Sequence, residues 1–212
     1  MRPTCIAGVL AVLLALWPGA PRAAAWEAGG FIFSDELGGF RLLSVSGRGI
    51  ASDPIVIVEE ITELRPVTLV IRGAREAQPD DGNIPQRLFL YLAMIKVVIN
   101  GTKRVWAGFD LELQQEITQP STHGDGLSFA QMGGFEEGFR SDSFAFNRQV
   151  YEPYDRVRFQ EGSVDPGATV RLRFFVTDPT PVPEFYLLQD PQLLMARRRP
   201  PFESLANRPF SR

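Results

Sequence analysis

The chain has 212 residues, 44% of them hydrophobic, and a formal net charge of −3. A chain of this length can bury a core of its own within one domain. Its single cysteine, Cys5, lies in a segment that we expect to be removed, which excludes thiol catalysis, zinc–cysteine sites and iron–sulfur clusters from the rest of the chain.

Residues 1–25 have the features of a secretory signal peptide. Arg2 precedes an apolar run of 13 residues that begins at Cys5, and Ala23 and Ala25 fit the small-residue pattern that signal peptidase accepts. An apolar run of this length is too short for a stable transmembrane anchor. We therefore expect cleavage after Ala25 and a periplasmic or extracellular protein.

Residues 26–194 are predicted to form a single domain of nine or ten short strands, without an amphipathic helix of 10 residues or more. This pattern favours an all-β fold, an antiparallel β-sandwich of immunoglobulin-like or jelly-roll-like type. A small Greek-key barrel is the alternative. The shorter predicted strands are FRLLSVS (40–46), PIVIVEEI (54–61), VTLVIRG (67–73), DSFAFN (142–147) and EFYLLQ (184–189).

The stretch SGRGIASDPIVI (46–57) resembles the G-x-G-x-x-x-D-P segment that introduces some bacterial extracellular parallel β-helix domains. No repeat of the β-helix type follows it, so the resemblance implies neither that fold nor an activity. We interpret the stretch as a glycine-containing turn that ends at Asp53-Pro54 and starts a strand.

Adjacent carboxylates occur at Glu59-Glu60 and at Glu136-Glu137. A glycosidase needs two carboxylates that face one another across the scissile bond. Because neighbouring residues of a strand point to opposite faces, neither pair can supply both groups.

The loop PDDGN offers the best candidate metal site. Asp80, Asp81 and Asn83 surround Gly82, and oxygen ligands of this kind suit calcium. The spacing is not that of an EF-hand loop, so a polar hairpin loop without metal is favoured. No other cofactor is expected.

Two longer segments predict an antiparallel hairpin. RLFLYLAMIKVVI (87–99) and RVWAGFDLELQQEI (104–117) flank Asn100-Gly101, a dipeptide that favours positive φ at both central turn positions. The second segment alternates, which places one face in the core and one in water. The expected core residues are Phe109, Leu111 and Leu113, and the expected solvent-facing residues are Asp110, Glu112 and Gln114.

The only histidine, His123, lies in PSTHGDGLSFAQ (120–131) between Ser121 and Asp125. A hydrolytic triad requires a base that contacts both partners, and short neighbouring side chains are poorly placed for that. Two glycines and an aspartate within five residues instead favour a turn. A pH-sensitive contact of the imidazole is the remaining functional interpretation.

The segment GLSFAQMGGFEEGFRSDSFAFN (126–147) is rich in glycine and phenylalanine, and it shows no regular pattern before Ser141. Long irregular loops are often functional, and aromatic side chains dominate interface energetics. Phe129, Phe135 and Phe139 are therefore the candidate binding residues. The alternative is a loop that its own phenylalanines attach to the sandwich.

A second hairpin is predicted between YDRVRFQEG (154–162) and TVRLRFFVTD (169–178), with Asp165-Pro166-Gly167 as the turn. After it, residues 195–212 form a tail with five arginines, one glutamate and three prolines, which predicts a flexible or extended segment. Its arginines Arg197, Arg198 and Arg199 are candidates for contact with anionic head groups or with an acidic protein surface.

These features predict an exported, non-enzymatic β-sandwich with a binding or structural role in the cell envelope and a protein or glycan partner. A net charge of −9 over residues 26–194 argues against a nucleic-acid partner. No segment after the signal is long and apolar enough for a membrane anchor; the best candidate, residues 88–99, contains Lys96. The alternatives are an envelope-polymer (polysaccharide) hydrolase and a subunit of an extracytoplasmic homo- or hetero-assembly.

Overall fold

The computed structural model describes residues 23–73, 90–122, 124–129, 138–150 and 154–193. In these ranges it contains thirteen strands and no helix. In chain order they are β1 (Ala25–Ala28), β2 (Phe31–Ser34), β3 (Phe40–Ser46), β4 (Ile55–Ile61), β5 (Val67–Arg72), β6 (Leu90–Asn100), β7 (Trp106–Gln114), β8 (Ser128–Phe129), β9 (Arg140–Ser141), β10 (Phe144–Val150), β11 (Arg156–Gly162), β12 (Thr169–Asp178) and β13 (Glu184–Leu193).

The strands form two sheets that pack face to face. Sheet A has the order β1-β2-β5-β13-β7-β11-β10, and sheet B has the order β3-β4-β6-β12-β8, with β9 also paired to β12. The predicted all-β sandwich is confirmed, and the two separate sheets rule out the closed barrel that was its alternative.

One strand pair departs from the predicted antiparallel arrangement. Strands β4 and β6 are parallel, from Ile55 opposite Met94 to Ile61 opposite Asn100. The intervening strand β5 belongs to the other sheet, so the chain leaves sheet B and re-enters it in its original direction. All other named strand pairs of the described residues are antiparallel.

Large side chains fill the space between the sheets. Each strand of the central region contributes alternate residues to this core, as the pleat requires. Its largest fully buried apolar members are Trp106, Phe31, Phe33, Phe109, Phe129, Phe159, Phe174, Phe185, Ile55, Ile57 and Ile61.

Both predicted hairpins are wrong, because each of the two connections crosses from one sheet to the other. Strand β6 lies in sheet B and β7 in sheet A, while β11 lies in sheet A and β12 in sheet B. The tight turn at Asp165-Pro166-Gly167 does exist, with the Ala168 amide donating to the Asp165 carbonyl at 2.9 Å. It turns the chain within the second crossing instead of joining paired strands.

The two connections between the sheets, which we call crossings, lie between β6 and β7 and between β11 and β12. They lie side by side and are joined by hydrogen bonds. Trp106 and Val164 exchange two backbone hydrogen bonds of 3.0 and 2.9 Å, and the Gly167 amide donates to the Asn100 carbonyl at 2.7 Å. The backbone at Gly101 does not have positive φ. The glycine is needed for space, since a Cβ there would lie 2.8 Å from the Glu60 side chain.

Sequence patterns did not reveal β1, β2, β8 and β9, which are two to four residues long. The predicted cleavage point after Ala25 falls within β1, where Ala25 lies opposite Ser34. Just before it, the Ala24 amide donates to Oδ1 of Asp35 at 2.7 Å. Cleavage after Ala25 would leave Asp35 with the bond from the Leu42 amide, at 2.9 Å.

Candidate functional site

The outer face of sheet A carries an acidic row that consists of Asp110 and Glu112 on β7 and Asp190 on β13. Asp190 lies directly opposite Asp110, and Leu188 lies opposite Glu112. Directly opposed residues of antiparallel strands have Cβ atoms about 4.5–5.5 Å apart. The fold therefore brings together carboxylates that are 80 positions apart in the sequence.

Two arginines of β11 cover the acidic row. Arg158 lies opposite Asp110, and its Nε and Nη2 donate to the carboxylate at 2.9 to 3.1 Å. Arg156 lies opposite Glu112 and donates to it from Nε at 3.0 Å. The prediction that Asp110, Glu112 and Gln114 face water is wrong, because these residues are only 2–4% exposed although they lie on the outer face.

The two aspartates of the row differ in their surroundings. The hydrogen bond and charge of Asp110 raise the pKa of Arg158, so the guanidinium stays protonated beside this carboxyl. Burial raises the pKa of Asp190; the hydrogen bond from Gln192 opposes this rise, and the neighbouring charge of Asp110 adds to it. Two neighbouring carboxyl groups in different environments are the arrangement that acid–base chemistry uses.

A cleft of about 570 Å³ lies at the edge of the sandwich where β1 approaches β3. Its acidic lining residues are all engaged. Glu36 accepts two hydrogen bonds from Arg72, at 2.6 and 2.8 Å, and Glu60 accepts one from Arg41 at 2.6 Å. The hydrogen bond from Arg72 lowers the pKa of Glu36 to about 2, so this carboxyl cannot donate a proton near neutrality.

The outer face of sheet B differs from that of sheet A because its centre is apolar. Parallel register places Val56 opposite Ile95 and Val58 opposite Val97. With Ile99, these five partly exposed side chains form what we call the aliphatic stripe. Solvent-facing positions of a sheet are usually polar, so this surface is unusual for a sandwich.

Polar side chains border the stripe on both long sides. On β12, the exposed Arg171 lies opposite Val97 and has no ion pair with another described residue. On β3, Ser44 and Ser46 lie opposite Val58 and Val56. The stripe is therefore two strands wide, with a cation on one flank and hydroxyl groups on the other.

The phenylalanines predicted to bind a partner belong partly to the core. Phe129 is 0% exposed and packs edge to face on Phe174 and on Phe139, with ring centroids 5.7 and 6.1 Å apart. Phe139 is partly buried against the same core. Burial makes Phe129 unavailable to a partner, and the alternative of a segment attached by its own phenylalanines describes both residues. Phe135 lies outside the described residues.

The neighbours of His123 have structural roles. Asp125 accepts from the amides of Thr122 and Leu127, each at 3.1 Å, as an aspartate in a turn does. Ser121 is 1% exposed, and its Oγ accepts from the Gln115 amide at 2.9 Å. These contacts fit the turn that the sequence favoured. His123 itself lies outside the described residues.

The remaining predicted site residues also fall outside the described ranges: Asp80, Asp81, Asn83, Glu136, Glu137, Arg197, Arg198 and Arg199. Within those ranges no group of three or more His, Cys, Asp or Glu residues could hold a metal ion.

As expected for neighbouring residues of a strand, Glu59 points into the core while Glu60 reaches the outer surface, where it contacts Arg41.

Sequence reasoning missed a polar group inside the core. Glu59, Lys96 and Gln189 are each 0% exposed, and we call them the core triad. Nζ of Lys96 contacts Oε2 of Glu59 at 2.7 Å, and the Gln189 amide donates to the same oxygen at 3.4 Å. The signal that was available is the lysine in the apolar run 88–99.

No helix in the described part of the chain is long and apolar enough to span a membrane. Comparisons with models of protein families, with curated proteins and with solved structures found no match to this chain.

Proposed function

We propose that the chain is an exported, non-enzymatic β-sandwich with a structural role in the cell envelope, and that it acts through the aliphatic stripe of sheet B. The observation that carries the proposal is an apolar outer sheet face at Val56, Val58, Ile95, Val97 and Ile99. Contiguous apolar surface of this kind is characteristic of interaction sites.

The chemistry of the stripe favours a protein over a glycan. All five side chains are branched aliphatic groups and offer no ring face on which a sugar could stack. The five side chains lie on two hydrogen-bonded strands, and a second sheet face can pack on such a surface at about 10 Å.

The partner that we propose is a second copy of this chain. A two-fold rotation about an axis along the strands places the Arg171 flank of one copy over the opposite flank of the other. That flank carries the hydroxyl groups of Ser44 and Ser46, whose oxygens can accept hydrogen bonds from Arg171, while Glu60 at the end of β4 is already paired with Arg41. Each half of the interface thus sets a donor flank against an acceptor flank, as an isologous interface requires.

Sedimentation equilibrium of the exported protein tests this proposal. We expect a reversible dimer that the substitution Val97→Lys converts to a monomer, because a buried unpaired charge is costly at an interface. The matched control is Thr68→Lys, at a partly exposed position on the outer face of sheet A. The control should remain dimeric.

Two results would overturn the proposal. One is a wild-type protein that sediments as a monomer at every concentration. The other is a dimer that Thr68→Lys dissociates and Val97→Lys leaves intact, since the interface would then lie on sheet A. Circular dichroism of both variants shows whether they retain the strand content of the wild type.

The acidic row supports a second candidate, a hydrolase of envelope polysaccharide. Retaining glycosidases use two carboxyl groups about 5–5.5 Å apart, and Asp110 and Asp190 stand directly opposite one another. Against this, the Asp110 side chain is 3% exposed beneath Arg158. Release of reducing ends from cell-wall polysaccharide by the wild type, and its loss in Asp190→Asn, would favour the hydrolase.

A further inference from the structure

The core triad adds a glutamine carboxamide to a buried ion pair between a lysine and a glutamate. Lys96 lies on β6 of sheet B, Glu59 on the neighbouring strand β4, and Gln189 on β13 of the opposite sheet. The lysine nitrogen and the glutamine nitrogen both contact Oε2 of Glu59, at 2.7 and 3.4 Å. One carboxylate oxygen therefore stands between an amine and a carboxamide.

Burial changes the reactivity of the core triad because it removes all three side chains from water. Each residue is 0% exposed, and the loss of solvation lowers the pKa of Lys96, which favours the neutral, nucleophilic amine. Oε1 of Glu59 and Oε1 of Gln189 have no hydrogen-bond partner among the described residues. Buried polar atoms without partners are rare in folded proteins and call for an explanation.

We propose that Lys96 and Gln189 form an isopeptide cross-link between the two sheets. The Lys96 nitrogen attacks Cδ of Gln189 and forms the new C–N bond, while Glu59 takes up the proton that this nitrogen loses. Glu59 then gives a proton to Nε2 of Gln189, the old C–N bond breaks, and ammonia leaves. The products are one secondary amide and one ammonia molecule, so the step needs no oxidant or other reactant.

The fold holds the amine and the carboxamide beside one another, because both nitrogens contact the same oxygen of Glu59, at 2.7 and 3.4 Å. Amide exchange between a free amine and a carboxamide is slow in water, but fixed neighbours in a dry site gain an effective concentration of about 10⁵ M or more. The link also suits an exported chain whose only cysteine, Cys5, lies in the predicted signal peptide and cannot contribute a disulfide to the mature protein.

Mass spectrometry of the purified exported protein tests the cross-link. The chain has only two lysines, Lys96 and Lys103, so the assignment is unambiguous. We expect an intact mass lower than that of the processed sequence by one ammonia molecule. After trypsin, residues 88–103 and 174–197 should appear as one branched species that retains an uncut bond after Lys96.

Variants identify the participating groups. Lys96→Met and Gln189→Leu should restore the full mass, Glu59→Gln should slow or abolish the loss of ammonia, and Lys103→Arg should leave the link intact. A wild-type protein with the full mass and two separate tryptic peptides would overturn the proposal, as would a mass deficit that persists in Lys96→Met. The wild-type measurement decides the question even if a core variant fails to fold.

Discussion

The side chain of Asn100 donates to the carbonyl oxygen of Val164 at 3.0 Å, although 64 positions separate the two residues. This bond connects the two crossings between the sheets. The same amide donates to the Arg104 carbonyl at 2.8 Å, and its oxygen accepts from the amide and hydroxyl of Thr102. Asn100 is 0% exposed. Removal of its side chain would leave the Thr102 amide without an acceptor and would take one of two donors from the carbonyls of Arg104 and Val164.

The substitution Asn100→Ala should destabilise the protein by about 3 kcal/mol, because it removes four hydrogen bonds that each contribute roughly 0.5–1.5 kcal/mol. Equilibrium unfolding in urea measures the loss. The control is Asn147→Ala, which removes a single bond of 2.9 Å to the Phe139 carbonyl at a partly exposed site and should cost about 1 kcal/mol. Equal effects of the two substitutions would contradict the role we assign to Asn100.

Two glycines with similar backbone conformation should respond differently to alanine. Gly47 has φ of +100° and a Cβ there would lie 2.0 Å from the Pro54 carbonyl oxygen. Gly167 has φ of +79° and open space around it. Gly167→Ala should cost about 1 kcal/mol for the left-handed conformation alone. Gly47→Ala should cost clearly more, since the backbone must also move. Thermal unfolding of both variants measures the difference. A similar thermal midpoint for the two would argue against the close approach at Gly47.

The ion pair between Glu36 and Arg72 should make stability depend on pH in the acid range. The pKa of Glu36 falls from an ordinary 4.5 to about 2 in the folded protein. Its contribution is therefore complete above pH 4.5 and is lost as the pH falls toward 2. Because both side chains are more than a third exposed, we expect a contribution of only about 1 kcal/mol.

Urea unfolding of Glu36→Gln checks this expectation. The variant should be less stable than the wild type at pH 7 and equally stable near pH 2. The control is Glu27→Gln on the adjacent strand β1, where the exposed glutamate has no side-chain bond to another described residue. A deficit for Glu36→Gln that stays constant from pH 7 to pH 2 would show that the ion pair is not its source.

For Asp190 we expect stability to depend on pH with the opposite sign to that of Glu36. Burial raises its pKa in the folded protein above the unfolded value, so ionisation of this carboxyl destabilises the fold at neutral pH, and the penalty disappears as the pH falls through the folded pKa. Asp190→Asn should therefore raise the thermal midpoint at pH 7 and leave it unchanged at acid pH. A lower midpoint at pH 7 would mean that the charged form makes a favourable contact there.

Local patterns in the sequence predicted the class of fold because period-two alternation and turn residues depend on near neighbours. Strand β3 was predicted with its observed bounds, and β4, β5 and β13 to within a few residues. Which strands pair is a non-local property. The dipeptide Asn100-Gly101 is typical of a hairpin, yet here the asparagine side chain holds a crossing between sheets.

The candidate surfaces were harder to predict for the same reason. Asp110 and Asp190 become neighbours only through the pairing of β7 with β13, and Val58 and Val97 only through the parallel pairing of β4 with β6. The alternation of β7 did identify Asp110 and Glu112 as outward-facing. It could not show that arginines from β11 cover them.

Distances between spin labels show whether a second copy packs on the aliphatic stripe. After removal of the predicted signal peptide the chain has no cysteine, so Ser46→Cys beside the stripe and Gln160→Cys on the outer face of sheet A each provide one label per copy. Packed sheets are about 10 Å apart, so labels at position 160 should be separated by about 30 Å or more. Labels at position 46 should be markedly closer in the dimer. No dipolar coupling at either position, or a shorter distance at position 160 than at position 46, would rule out a dimer packed through the aliphatic stripe.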